Sequence, residues 1–134
     1  MPETWIWIFL GFESADAGRP VQVWFDNLPE DHKDEVLDLL IYLQRVTNSL
    51  WRKPEFDPLI GAGDISEIRV PNIRGSKGST TYRIYGYFGP KKHNYTFLHG
   101  TDKKARNDKH GKRIANDRLD ELRRGAATVH EFEF

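Results

Sequence analysis

A change of hydrophobic period part-way along the chain constrains its fold more than any other feature. Between Pro20 and Leu50 apolar residues recur at helical spacing, and beyond Asp64 the period falls to two. Val21, Trp24, Phe25 and Leu28 stand at i, i+3, i+4 and i+7, one face of a helix. Pro20 suits its first turn, where a missing N–H costs nothing. Asn27–Glu30, with Pro29, interrupts that helix. A second begins near Glu30–Asp31, whose carboxylates favour the positive end of the helix dipole. It carries the stripe Val36, Leu39, Leu40, Leu43, Val46 and Leu50. The pair reads as an α-hairpin laid by one face on a sheet.

The sheet itself is read from the remaining segments. Trp5–Leu10 is short, apolar and rich in aromatic and β-branched residues, so it reads as a strand buried on both faces and ended by Gly11. Ser14–Arg19 reads as a loop. Ile65–Val70 reads as a strand with Ile65, Ile68 and Val70 apolar and Glu67 and Arg69 facing the other way. Thr80–Phe88 sets Tyr82, Ile84, Gly86 and Phe88 on one side and Arg83, Tyr85 and Tyr87 on the other. Gly89–Lys92 is a hairpin-like turn, and Tyr95–His99 is the next strand. A basic connector, Gly100–Asn107, leads to a helix from about Asp108 to Arg124 with a narrow stripe of Ile114, Ala115, Leu119 and Leu122. Gly125 is its expected stop. The order β-α-α-β-β-β-α predicts an α+β fold: an N-terminal strand, an α-hairpin, a mainly antiparallel sheet of about four strands and a C-terminal helix. At 134 residues a single domain over 1–134 is expected. In the tail, Val129, Phe132 and Phe134 fit either a short strand or a docking segment.

Charge narrows the function. Met1–Asp64 carries twelve Asp/Glu against five Lys/Arg, whereas Ile65–Arg124 carries six against fifteen. The formal net charge of zero hides this split. A basic half containing aromatics and His is a candidate surface for a polyanion, nucleic acid being the commonest. The chain has no Cys, which excludes disulfides, thiolate metal sites and a Cys nucleophile and fits a reducing cytoplasm. Its longest apolar run, Trp5–Leu10, is far short of the roughly 20 residues that span a membrane. No basic-then-apolar leader opens it, so no signal peptide is expected. No Gly-rich phosphate loop, His-x-x-x-His pair or nucleophile elbow is present.

Three segments, Ser66–Val70, Thr81–Tyr85 and Phe97–Lys104, occur in order and are followed by a helix. Together with the preceding helical pair they resemble the RelE-like superfamily of bacterial toxins, particularly its HigB-like and phage-derived branch. The resemblance covers roughly Pro20–Arg124. It implies a small cytoplasmic toxin encoded beside an antitoxin. Many such toxins cleave mRNA on the ribosome without a metal or other cofactor, while a ParE-like branch poisons DNA gyrase and is not a nuclease. Two features depart from the pattern: the neutral net charge, and the long acidic helical half with its tail.

Metal-free RNA cleavage needs a base for the 2′-hydroxyl proton, cations for the crowded phosphate and a donor for the departing 5′-oxygen. Arg83 matches the family's Tyr-Arg position and is the first candidate for the phosphate cation; alternatively it pairs with a carboxylate such as Glu67. Arg69, on the neighbouring strand with the same facing, could converge on the same phosphate or be a solvated charge. The resemblance implies a catalytic or RNA-binding cation after the last strand, where Lys103 and Lys104 stand; Lys104 is favoured, with Arg106 in the same patch. His110, at the spacing where some relatives carry a catalytic Tyr, could move protons, as could His99; surface and half-buried structural roles are the alternatives. Tyr85 and Tyr87, on Arg83's side, could stack on a base or be core. Arg74, Lys77, Lys109, Lys112 and Arg113, with Arg118, suit RNA phosphates or simple solvation. His32 and His93 read as surface. The leading expectation is a ribosome-dependent mRNA endoribonuclease held in check by an antitoxin. Its rivals are a gyrase poison and a non-catalytic nucleic-acid-binding module.

Overall fold

The structure is a computed structural model, and it describes residues 6–71, 81–102 and 107–134. In chain order the elements are β1 (Ile8–Glu13), α1 (Pro20–Asp26), α2 (Glu30–Arg45), a 3-10 turn (Asn48–Leu50), β2 (Phe56–Asp57), β3 (Ser66–Val70), β4 (Tyr82–Phe88), β5 (Asn94–Thr101), α3 (Lys109–Arg123) and β6 (Thr128–Glu131). The fold is α+β. The strands form one sheet in the order β2-β3-β4-β5-β1-β6. All neighbours are antiparallel except β1 and β5, which run parallel.

The sheet is therefore mixed and six-stranded, where about four mainly antiparallel strands were expected. The two extra strands are the two-residue β2, too short to leave a periodic signal, and the tail strand β6. The first strand is also displaced. Gly11 lies inside β1 rather than ending it, paired to Phe97 on one side and His130 on the other. Its lack of a side chain is used: a Cβ there would lie 2.5 Å from His130 Nε2. Ile8 is 51% exposed, so the strand is not buried on both faces. Trp5 lies outside the described residues.

Helices cover both faces of the sheet. On the first face Val21 and Phe25 of α1 and Val36, Leu40 and Leu43 of α2 pack on Phe9, Ile68, Ile84, Tyr95 and Phe97. This is the expected α-hairpin. Burying each such side chain contributes roughly 1.5–3 kcal/mol. Leu50, expected in the stripe, is exposed in the 3-10 turn. The tail completes this layer. Phe132 is buried edge-on to Phe97. Next to it, the Gln22 side chain donates to the Glu133 carbonyl at 2.7 Å and accepts from its N–H at 2.8 Å. His32 is not plain surface: its Nδ1 lies 2.7 Å from the Tyr82 hydroxyl.

On the second face Ala115 and Leu119 of α3 pack on Phe12, Ile65, Tyr85, Tyr87 and Leu98. Ile65 thus faces with Glu67 and Arg69, not with Ile68, as strict alternation requires. Between Tyr85 and Gly86 the β4–β5 register shifts by one residue. The bulge lets Leu98 and His99 both address the α3 side.

Candidate active site

Register brings the sequence candidates together on the second face. Arg69 pairs directly with Arg83, and Arg83 with Thr101. Two residues further along, on the same face, Asp57, Glu67, Tyr85 and His99 form a row across β2 to β5. Two guanidiniums set opposite one another repel. Glu67, 1% exposed, relieves this from the adjacent row. Its Oε1 accepts from Arg69 Nη2 at 2.5 Å, and its Oε2 lies 3.6 Å from Arg83 Nε. Arg83 is 8% exposed, while Arg69 is more open. The carboxylate partner weighed for Arg83 is therefore present. Two guanidiniums against one carboxylate still leave the cluster cationic.

Beneath the cluster lies the start of α3. Asp108 is the helix N-cap, its Oδ1 accepting from the Gly111 N–H at 3.0 Å. Its Oδ2 accepts from the Tyr85 hydroxyl at 3.1 Å. Only Gly fits at 111, because the Asp108 carboxylate and the Tyr85 ring occupy the space a Cβ needs. Burial, with the nearby Glu67 and Asp108 charges, pushes the Tyr85 hydroxyl well up, and its hydrogen bond with Arg83 opposes this. Tyr85 is fully buried, so it offers no ring face to a base. Tyr87 is also core, with the Arg123 guanidinium 5.9 Å over its ring. Their other reading, as core, is the one the packing supports.

The His99 ring lies parallel to the Tyr85 ring, with centroids 6.3 Å apart. Burial pushes its pKa down to about 4, and the Arg118 and His110 charges act in the same direction against Asp108. His99 is therefore neutral near pH 7. His110 is exposed in the first turn of α3 and close enough for its charge to act on His99. Arg118 donates to the Leu98 carbonyl at 2.8 Å and lies over Phe12.

Arg69, Arg83 and His99 thus lie on the second face, with His110 in the adjoining first turn of α3. Lys109 and Lys112 turn toward the loop after β2, and Arg113 is exposed on α3. Arg74, Lys77, Lys103, Lys104 and Arg106 lie outside the described residues. Asp108 was legible only as a helix start, although Asp is a favoured N-cap residue. Among the described residues no group of three His, Asp or Glu side chains is arranged to hold a metal ion.

A family model described as Phage derived protein Gp49-like (DUF891) matches residues 23–120. The chain belongs to this Gp49-like family. Comparison with curated proteins returned no match, and comparison with solved structures returned none. The Gp49-like family is related to the RelE-type toxins, so the likeness drawn from the three sequence segments holds at the level of a toxin-like superfamily. The match runs from α1 to late α3 and contains every residue of the cluster. Among the described residues no helix of this Gp49-like protein is long and apolar enough to cross a membrane.

Proposed function

We propose that this Gp49-like protein is a HigB-like toxin of a type II toxin–antitoxin pair, and that it cleaves mRNA on translating ribosomes. The observation that carries the reading is the Arg69–Arg83 pair, two guanidiniums facing one another on adjacent strands of the face that also carries His99. Guanidinium forks suit phosphate oxygens, and a partly buried pair binds them more strongly than solvated lysines do. In the reaction the RNA 2′-oxygen attacks phosphorus and the P–O5′ bond breaks, leaving a 2′,3′-cyclic phosphate and a 5′-hydroxyl. Neutral His99 takes the 2′-hydroxyl proton, and His110 is the donor to the departing 5′-oxygen. Arg69 and Arg83 neutralise the phosphate in the transition state. Lys104, which follows β5 in the sequence, is a further cation for the same phosphate. The cognate antitoxin would inhibit by covering the cationic cluster, and the toxin would work in the cytoplasm, where ribosomes are.

One observation favours a second reading. Arg83 is nearly buried and shares Glu67 with Arg69, which a purely structural pair would also do. The protein would then bind its target without chemistry, as a gyrase inhibitor or a nucleic-acid-binding module does. Primer extension on a reporter mRNA, with and without translating ribosomes, separates the readings. Codon-phased cuts that need ribosomes and vanish in Arg69→Ala support the nuclease. Folded protein that makes no cut, but blocks gyrase supercoiling, supports the rival.

A further inference from the structure

The loop that joins β2 to β3 exposes Ile60 almost completely, at 97%. An isolated apolar side chain on a surface needs no explanation when its loop is loose. This loop is not loose. The Leu59 N–H donates to Asp57 Oδ1 at 2.9 Å, and the Ala62 N–H donates to the Leu59 carbonyl at 3.0 Å. Asn116 of α3 donates to the Ala62 carbonyl at 3.2 Å. Leu59 and Ala62 pack against the second-face core. Leu59, Gly61 and Gly63 all have positive φ, at 53°, 90° and 80°. For Leu that backbone is unfavourable, and strain of this kind collects where a surface has a task. The chain therefore folds Leu59 and Ala62 inward and holds Ile60 out.

Between this loop and the first turn of α3 is an open pocket of about 560 Å³, lined by Lys53, Asp57, Ile60, Asn107, Lys109 and Lys112. Asp57 is already engaged by the Leu59 N–H and, at 4.0 Å, by Lys53. Lys112 reaches Asn107 at 3.5 Å, and Lys109 is exposed. The pocket is thus cationic, with an apolar post at its rim, and it adjoins the row that runs from Asp57 to His99.

We propose that this pocket seats one unpaired nucleotide of the bound RNA, its phosphate against Lys109 and Lys112 and its base against Ile60. Ile60 is a positioning residue, an apolar wedge that separates one base from its neighbour as inserted aliphatic side chains do elsewhere. The proposal rests on the RNA reading of the adjacent cluster, but binding tests it apart from cleavage. The probe is a short single-stranded RNA containing 2-aminopurine, which brightens when unstacked. The native protein should brighten it on binding. Ile60→Ser, whose side chain has no packing to lose, should keep the melting temperature, bind roughly tenfold more weakly and lose the brightening. Lys109→Ala and Lys112→Ala should each lower the salt slope of log K by about 0.7. Unchanged affinity and fluorescence in Ile60→Ser would overturn the proposal. So would Ile60→Ser protein that binds RNA normally but no longer inhibits growth, since Ile60 would then be seated in a protein. Ile60-dependent RNA binding together with no cleavage on translating ribosomes would sink the nuclease and leave the wedge standing.

Discussion

The two faces of one strand, β4, are built from different physics. Toward α1 and α2 it presents Tyr82 and Ile84, with the exposed Phe88 against Trp7 and Trp51, and the layer there is aliphatic and aromatic. Toward α3 it presents Arg83, Tyr85 and Tyr87, and the layer there includes a buried carboxylate, a nearly buried guanidinium and a buried helix cap. Burying charge stabilises less than burying hydrocarbon of the same volume, because desolvation offsets the Coulomb attraction. A fold selected for stability alone would put apolar residues on both faces. The contrast teaches that the first face holds the protein together and that the second trades stability for charge placed beside α3.

The largest effect expected is on the first face. Phe97 is fully buried, with Phe9 and Phe132 rings at 5.0 and 4.8 Å. Phe97→Ala should cost about 3–5 kcal/mol in urea unfolding. It should leave RNA affinity per folded molecule unchanged. A change in affinity without a loss of stability would break the division between the faces.

Next comes Glu67→Gln on the second face. Removing the shared carboxylate leaves two facing guanidiniums without their counter-charge, which should destabilise by about 3 kcal/mol. Binding of single-stranded RNA at low salt should tighten in the same variant, because phosphate no longer competes with Glu67. Opposite movements of stability and affinity are the signature of a charge network kept for a ligand. If both fall together, the Arg69–Glu67–Arg83 group is scaffold.

How much of this contrast was legible in the sequence follows from the same residues. Alternation along β4 named both faces correctly, since a period of two is local. The helical stripe of α2 and the Gly125 stop, at φ 75°, were legible for the same reason. The parallel pairing of β1 with β5 is not local, and nothing in Trp5–Phe12 encodes it. Gly11 misled because its partner, His130, is far along the chain. Within the site, the convergence of Arg69 and Arg83 followed from strand facing. The burial of Tyr85 under Asp108 did not, because it depends on where α3 lands.

Tyr85→Phe tests that landing with a smaller perturbation. It removes the hydroxyl that donates to Asp108 and leaves the ring in the core. The loss should be about 1–2 kcal/mol, one buried hydrogen bond to a charged acceptor. Hydrogen exchange should quicken in the first turn of α3, where Asp108 also holds the Gly111 N–H. Exchange that quickens equally in α2 would mean that the two faces unfold as one unit.

The smallest effect expected is a pH dependence confined to the second face. His99 has a native pKa of about 4 against an ordinary 6.5, chiefly because burial disfavours the imidazolium. Between those values the unfolded chain binds a proton that the native protein refuses. Stability from this group is therefore complete above pH 6.5, falls as the pH drops toward 4 and then levels off. His99 is only partly buried, so solvent screening reduces the difference to about 1 kcal/mol. His99→Gln keeps the shape and cannot titrate. Unfolding free energies measured from pH 7 to pH 4.5, roughly the span of the shift, should converge as the wild type loses stability and the variant does not. The same neutrality is what a base for the 2′-hydroxyl requires, so cleavage by the wild type should persist well below pH 6. A wild type that matches His99→Gln at every pH would mean that His99 is solvated, and the second face would lose the one group proposed to accept the proton.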